Sequence, residues 1–483
     1  MNHKALTLII FFLFSTVAFA QETLQVNLSE AQNYAIEHNK QLKNAKLDIT
    51  LADRKIKDAV AQGLPQIEAN LDWMTYFGYE MEFNLGGGTT FVPTADQIAD
   101  ASTQALTSFS GVPSLGLNAA TPQDLYNYQA GSTFSGILQG MAPSPTIVMG
   151  ASSTAKLQIG QLLFSGQYLA GIQVAKLGKE ISERGLDNSI LDIKESVTNS
   201  YIMALITEKS INTIKTSIAN LVKIKGFTNN MYETGMAEQT DVDQISIQVT
   251  MLENNLRSME RGLQMVHSML KFQLGVDNNN QLELTEQLET LIASLNPKSK
   301  IDDFDIYTNS TYQLLETQEL ISKKMIDMQK WSYGPTISGF YTYNQKLLTT
   351  GFDMTPNNMA GISMKLPIFS GGSRNHKVAQ AKIELEKVQM NKSMVEDQLQ
   401  LQYKQLLLDL NTAIENYDSQ KENVEVAQRV FDHIHKKFEQ GMASSLDLTQ
   451  SNNNYLQAES NFTQATMSLL QAKVALDKLN NQL

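Results

Sequence analysis

Few of this chain's polar residues are spaced for catalysis. It has no cysteine, which excludes disulfides, thiolate metal sites and a cysteine nucleophile. His433 and His435 are two apart in a helical stretch and point to different faces, so they do not form a ligand pair. The GGGTT run at 86–90 lacks the Lys-Ser/Thr of a phosphate loop. No nucleophile elbow or zinc-protease motif occurs, and the 21 methionines are scattered, most of them fitting helix seams. The reading is a non-enzyme with no cofactor and no metal site. What stands out instead is a repeated short stretch, YETGMAEQTDV at 232–242 and FEQGMASSLDL at 438–448. Both place an aromatic three residues before Gly-Met-Ala and an acid, Asp241 or Asp447, six residues after the glycine.

The elements around these stretches repeat as well. After the second, Tyr455, Ala458, Phe462, Ala465, Leu469, Ala472, Leu476 and Leu479 alternate spacings of three and four, an a/d heptad seam. At an offset of 206 lie Val249, Leu252, Leu256, Met259, Leu263, Val266, Leu270 and Gln273, of which only Gln273 is polar. Upstream, 167–231 and 373–437 read as helices without proline. About 65 residues at 1.5 Å each span on the order of 100 Å. Each half therefore predicts a long antiparallel helical hairpin with Gly-Met-Ala at its tip, where glycine permits the reversal.

Further matches lie upstream of the hairpins. LQIGQLLFSG (157–166) parallels ISMKLPIFSG (362–371) at an offset of 205, and GLPQIEANL (63–71) parallels YGPTISGFY (333–341) at 270. The strands alternate at period two. Ile67, Ala69, Leu71 and Trp73 oppose Glu68, Asn70 and Asp72, and Ile337, Gly339, Tyr341 and Tyr343 oppose polar residues, with Phe340 the exception. Aromatics gather near strand ends at Trp73, Tyr76, Tyr79, Trp331, Tyr341 and Tyr343, the pattern of a lipid-facing strand with an aromatic girdle. Four strands cannot close a membrane barrel, and open edges are not tolerated in lipid, so they are expected to join a shared one. A homotrimer would supply twelve.

The organisation follows. Residues 1–20 read as a signal peptide: His3 and Lys4, an apolar run, then Ala18-Phe19-Ala20 as cleavage site. Residues 21–275 form a first repeat, with strands at about 65–79 and 152–164, an external loop at about 80–150, and a hairpin at about 167–275. Residues 276–300 are a linker. Residues 301–483 form a second repeat, with strands at about 335–345 and 358–369 and a hairpin at about 372–480. The loop could cap the outer mouth, meet extracellular ligands, or be a solvated flap with no partner. The net charge of −12 (38 basic, 50 acidic residues) argues against nucleic acid as a partner.

With the tips TGMAEQTDV and QGMASSLDL, the duplicated hairpins and the PIFSGG stretch (367–372) in view, the chain resembles the TolC family of outer-membrane efflux proteins. The resemblance covers nearly the whole mature chain. It implies a mainly α fold with a membrane β-barrel, in which a trimeric helical barrel projects into the periplasm below a shared 12-stranded barrel in the outer membrane. It implies a passive channel of a tripartite efflux or type I secretion system, docked to a periplasmic adaptor and, through it, an inner-membrane pump. The segment around 276–305 and the chain ends would form an equatorial belt.

The resemblance also assigns sites. Gly235, Met236, Ala237, Gly441, Met442 and Ala443 match the adaptor-docking tips; a plain helix reversal is the competing reading for the glycines. Asp447 matches an acidic ring at the periplasmic gate, where acids from three chains would concentrate negative potential in a narrow throat. The alternative is a carboxylate at a helix start, favoured by the helix dipole. Gln450 stands at the family's second acidic position, Phe438 at the gate aromatic, and Thr240 and Asp241 at its acceptor pair. Ala443 stands where the family has an arginine, so the usual closing link cannot form. An exported soluble coiled-coil scaffold or adhesin is the alternative class.

Overall fold

The computed structural model describes residues 23–74, 152–297, 304–349 and 356–483. The expected signal peptide, the 80–150 loop, Tyr76 and Tyr79 lie outside them. In chain order the elements are β1 (Thr23–Val26), α1 (Leu28–His38), α2 (Lys40–Ala61), β2 (Gln66–Met74), β3 (Ser152–Ser165), α3 (Gly166–Glu233), α4 (Gln239–Leu274), β4 (Gln281–Leu284), α5 (Leu288–Leu295), a 3-10 turn (Ile306–Thr308), α6 (Ser310–Trp331), β5 (Thr336–Thr349), β6 (Asn358–Lys365), α7 (Ser373–Glu439) and α8 (Ser445–Leu479). The proline-free stretches are unbroken helices of 68 and 67 residues. All eight positions of each heptad seam on α4 and α8 are buried or half-buried, because a 3.5-residue spacing keeps one stripe against its neighbours. β6 stops at Lys365, short of the expected 369. Pro367 has no N–H for a ladder, and Gly371 and Gly372 then turn the chain into α7 with φ of 58° and 83°.

The residues fall into two compact units. One comprises described residues of 1–46, 185–313 and 394–483. Its principal core gathers Val26, Tyr201, Ile202, Leu270, Leu274, Leu291, Leu470 and Val474. β1 pairs in parallel with β4, from Thr23 opposite Gln281 to Val26 opposite Leu284. This pairing, which the period-two pattern did not signal, joins the start of the described chain to the segment between the repeats. The Tyr201 hydroxyl donates to the Val26 carbonyl at 3.1 Å. Lys478 bridges Asp192 and Glu195 at 2.5 and 2.8 Å.

The other unit comprises described residues of 47–184 and 314–393. Ala59, Ala170, Ala175 and Met328 form a small core where short side chains let α2, α3 and α6 approach closely. Glu319 on α6 meets Lys323 at 2.7 Å, and Lys392 and Gln389 of α7 at 3.0 and 3.1 Å. Those hydrogen bonds, with Lys323 first and Gln389 next, hold its carboxyl down at about 2. The sheet runs β2-β3-β5-β6, all antiparallel.

Candidate functional site

The sheet is inside out. One row across its four strands reads Ile67, Ile159, Tyr341, Ala360; the next reads Glu68, Gln158, Thr342, Met359. Ile67 is 66% exposed, Leu71 and Trp73 are equally open, and Thr342 is 1% exposed, with Gln158, Ser338 and Asn344 buried alongside. Water-soluble sheets bury the apolar face, since removing apolar area from water stabilises by about 25 cal/mol per Å². The reverse arrangement fits an apolar solvent outside. Phe340, the exception in the alternation, lies on the polar face over Gly361, where an added Cβ would come within 2.8 Å of its ring. Of the girdle residues, Trp73, Trp331 and Tyr341 are exposed. The Tyr341 and Tyr343 hydroxyls donate to Asn358 and Gln345, each at 2.7 Å. Among the described residues no helix is long and apolar enough to cross a membrane, and no group of His, Asp or Glu is placed to hold a metal ion.

The two hairpin tips are built alike. At the first, Gly235 N–H reaches the Tyr232 carbonyl (2.9 Å) and Met236 N–H the Met231 carbonyl (2.8 Å). At the second, Gly441 reaches Phe438 (2.9 Å) and Met442 reaches Lys437 (2.8 Å). Both are Schellman stops, in which the C′ residue takes the left-handed conformation that glycine adopts without strain; φ is 78° and 72°. The glycines thus have a structural duty. It does not explain the methionines, which stand 73% and 65% exposed, whereas Ala237 and Ala443 are half-buried.

Just past each stop a capping pair starts the return helix. Asp241 accepts from Glu238 N–H at 3.0 Å, and Thr240 donates to the Glu238 carboxylate at 3.1 Å. Asp447 accepts from the Ser444 hydroxyl (2.7 Å) and N–H (3.0 Å), and Ser444 Oγ accepts the Asp447 N–H in return. The Ser444 hydroxyl, then its N–H, lower the exposed Asp447 carboxyl below the usual range. Gln450 points along its own helix to Asn454 at 2.9 Å.

Two features were not legible in the sequence. Phe438, expected at the gate, is 5% exposed. It packs with Leu221, Ile224, Ile245 and Leu448 and meets Phe227 edge-on, so it is a core residue of the tips. Second, the buried Ser445 hydroxyl donates to Asp241 Oδ1, tying the start of α8 to the start of α4 across the two hairpins. Sequence reasoning missed Ser445 because a serine beside an N-cap serine carries no signal of its own. Nearby, Ser217 Oγ donates to Asn452 Oδ1 at 3.4 Å.

An inside-out four-stranded sheet and two long helical hairpins with matching tips define the class of fold: antiparallel strands with an apolar outer face, joined to long helical hairpins. Residues 324–482 match the model of the outer membrane efflux protein family. The chain is similar in structure to CusC, described by its transmembrane channel formation, at 12% identity, with a TM-score of 0.67 and coverage of 97% of this chain and 95% of that one. It is similar to the CmeC outer membrane channel of Campylobacter jejuni at 14% identity, TM-score 0.65, covering 94% and 86%. The outer membrane protein VceC of Vibrio cholerae gives 13%, 0.62, 94% and 96%. No curated protein sequence matches. The resemblance read from the tips and the PIFSGG link is borne out: residues 324–482 match the outer membrane efflux protein family, and the described chain has the fold of these channels.

Proposed function

We propose that the chain is the outer-membrane channel of a tripartite efflux or type I secretion system, a passive trimeric conduit docked to a periplasmic adaptor. The observation that carries this reading is the inside-out sheet, whose edges among the described residues are β2 and β6. Lipid cannot satisfy an open edge. β2 and β6 are strands of opposite direction in an antiparallel order, so β6 of one copy can pair with β2 of the next. Three copies close twelve strands. A soluble scaffold would instead leave the exposed Ile67, Leu71 and Trp73 in water.

The tips take the adaptor. Exposed Met236 and Met442 sit on rigid Schellman turns, and flexible methionine suits a binding surface that must adapt to its partner. Six tips per trimer would meet an adaptor ring of matching order. Asp447, exposed at the start of α8, supplies the acidic ring of the throat. The Ser445–Asp241 bond is the tie that holds the hairpins of one chain together in the closed state, in place of the link that Phe438 and Ala443 cannot make. Energy and cargo choice reside in the inner-membrane pump.

The test is the mass of the protein extracted from the outer-membrane fraction in mild detergent. Three chains are expected. A monomer in the soluble periplasmic fraction would remove the shared barrel, and with it the conduit.

A further inference from the structure

The end of the sheet that leads into the helices carries an apolar and cationic collar, of which the conduit reading assigns Trp331 alone, as a girdle residue. Past β6 the chain runs through Leu366, Pro367, Ile368 and Phe369; Ile368 is 94% exposed and Phe369 89%. Just before β5, Tyr333 is exposed and linked to this segment through Arg374, and Trp331 is exposed against Gly166 and Phe164. The Arg374 guanidinium lies 6.0 Å from the Tyr333 ring centroid and donates to the Pro367 carbonyl at 3.4 Å. Lys365, opposite Thr336 in the ladder, ends β6 at the same level. Lys377 follows Arg374 by three residues and so shares its side of α7.

The charge here is lopsided. In a chain of net charge −12, residues 356–383 contain Lys365, Arg374, Lys377 and Lys382 and no Asp or Glu. The Arg374 contacts are a ring face and a carbonyl, neither of them an acid. The dipole of α7 disfavours a cation in its first turn, so Arg374 does not serve the helix's own stability. No Lys or Arg occurs after Lys57 until Lys156, so the linker at the far end of β2 offers no cation.

We propose that this collar seats anionic phospholipid headgroups of the leaflet at the helix end of the sheet; this rests on the membrane reading of the sheet's apolar face. Ile368, Phe369, Trp331 and Tyr333 enter the headgroup–acyl boundary, continuing the apolar row Ile362, Met364, Leu366. Lys365, Arg374 and Lys377 take the phosphates. A planar guanidinium matches two phosphate oxygens at once, and its stacking on Tyr333 fixes its orientation. Basic and aromatic side chains together hold a protein at an anionic surface.

The test uses the full protein purified from outer membranes in mild detergent, with phosphatidylglycerol or phosphatidylcholine added and the retained lipid read by native mass spectrometry. The wild-type assembly is expected to retain several-fold more phosphatidylglycerol. The Arg374→Gln/Lys377→Gln double variant should keep its assembly mass and retain the two lipids equally. Equal retention by wild type, or an unchanged preference in the double variant, overturns the proposal. Ile368→Ser/Phe369→Ser should lose retention of both lipids with the assembly intact. Collapse of that assembly would assign the two side chains to a neighbouring copy and overturn their place in the collar. A wild-type mass of one chain brings down the conduit reading itself, whereas a trimer without lipid preference brings down the collar alone.

Discussion

Replacing Ser445 with Ala deletes the one described hydrogen bond that joins the starts of α4 and α8 and leaves the rest of both tips in place. The Ser445 hydroxyl is buried and donates to Asp241 Oδ1, whereas Oδ2 of the same carboxylate accepts the Glu238 N–H at 3.0 Å and continues to cap α4. A hydrogen bond to a charged group contributes about 1.5–3 kcal/mol. At about 1.4 kcal/mol per tenfold, its loss should shift the ratio of parted to joined tips by roughly 10- to 100-fold in each chain. Single-channel recording in planar bilayers reads this directly: Ser445→Ala should dwell far longer in high-conductance states than wild type. Ser444→Ala is the control. It removes the N-cap of α8, at about 1 kcal/mol of local helix stability, without touching the first hairpin. If Ser445→Ala conducts as wild type does, the bond does not hold the tips. If the two variants behave alike, general fraying explains both, and the cross-hairpin tie is dismissed.

Four other outcomes follow from the same geometry. Leu157→Lys places a charge on the outward face of β3 and should cost ~2–4 kcal/mol near the bilayer midplane, lowering the amount of assembled protein in outer membranes; a change within about 0.5 kcal/mol, as for an ordinary exposed site, would mean that water covers this face. Gly441→Trp forces a bulky residue into a left-handed turn, at about 1–2 kcal/mol, with open space beyond the Cβ. The trimer should survive and transport should stop, while Gly441→Asn keeps both; a Trp variant that falls apart makes the tip structural. Asp447→Asn should reduce cation preference, and an unaltered reversal potential would take Asp447 out of the throat. Glu319 has its carboxyl lowered from 4.5 to about 2 by Lys323, Gln389 and Lys392, so its stabilisation is complete above about pH 4.5 and drains away as pH falls toward 2. Melting temperatures across that range should flatten in Glu319→Gln, and a decline that persists unchanged there would clear Glu319 of the effect.

Local pattern alone carried much of this protein. The heptad seams on α4 and α8, the absence of proline from α3 and α7, and the offset of 206 between tips are one-dimensional signals, and each reports a helix whose buried stripe follows from its own periodicity. The same holds for β2, β3, β5 and β6, whose alternation separates two faces before any neighbour is known. Which face is outside was not written there: period two is identical in a soluble sandwich and in a membrane strand. Burial decided it, with Thr342 and Gln158 covered and Ile67 open. The parallel pairing of β1 with β4 joins residues 258 positions apart, and four-residue strands are too short to announce themselves. Phe438 and Ser445 show the limit most plainly. By resemblance to the family the aromatic was assigned to a gate, and the serine had no role. Only packing α3, α4, α7 and α8 together placed Phe438 in their core and turned the Ser445 hydroxyl onto Asp241, since the partners of a buried side chain are set by elements that lie far away in sequence.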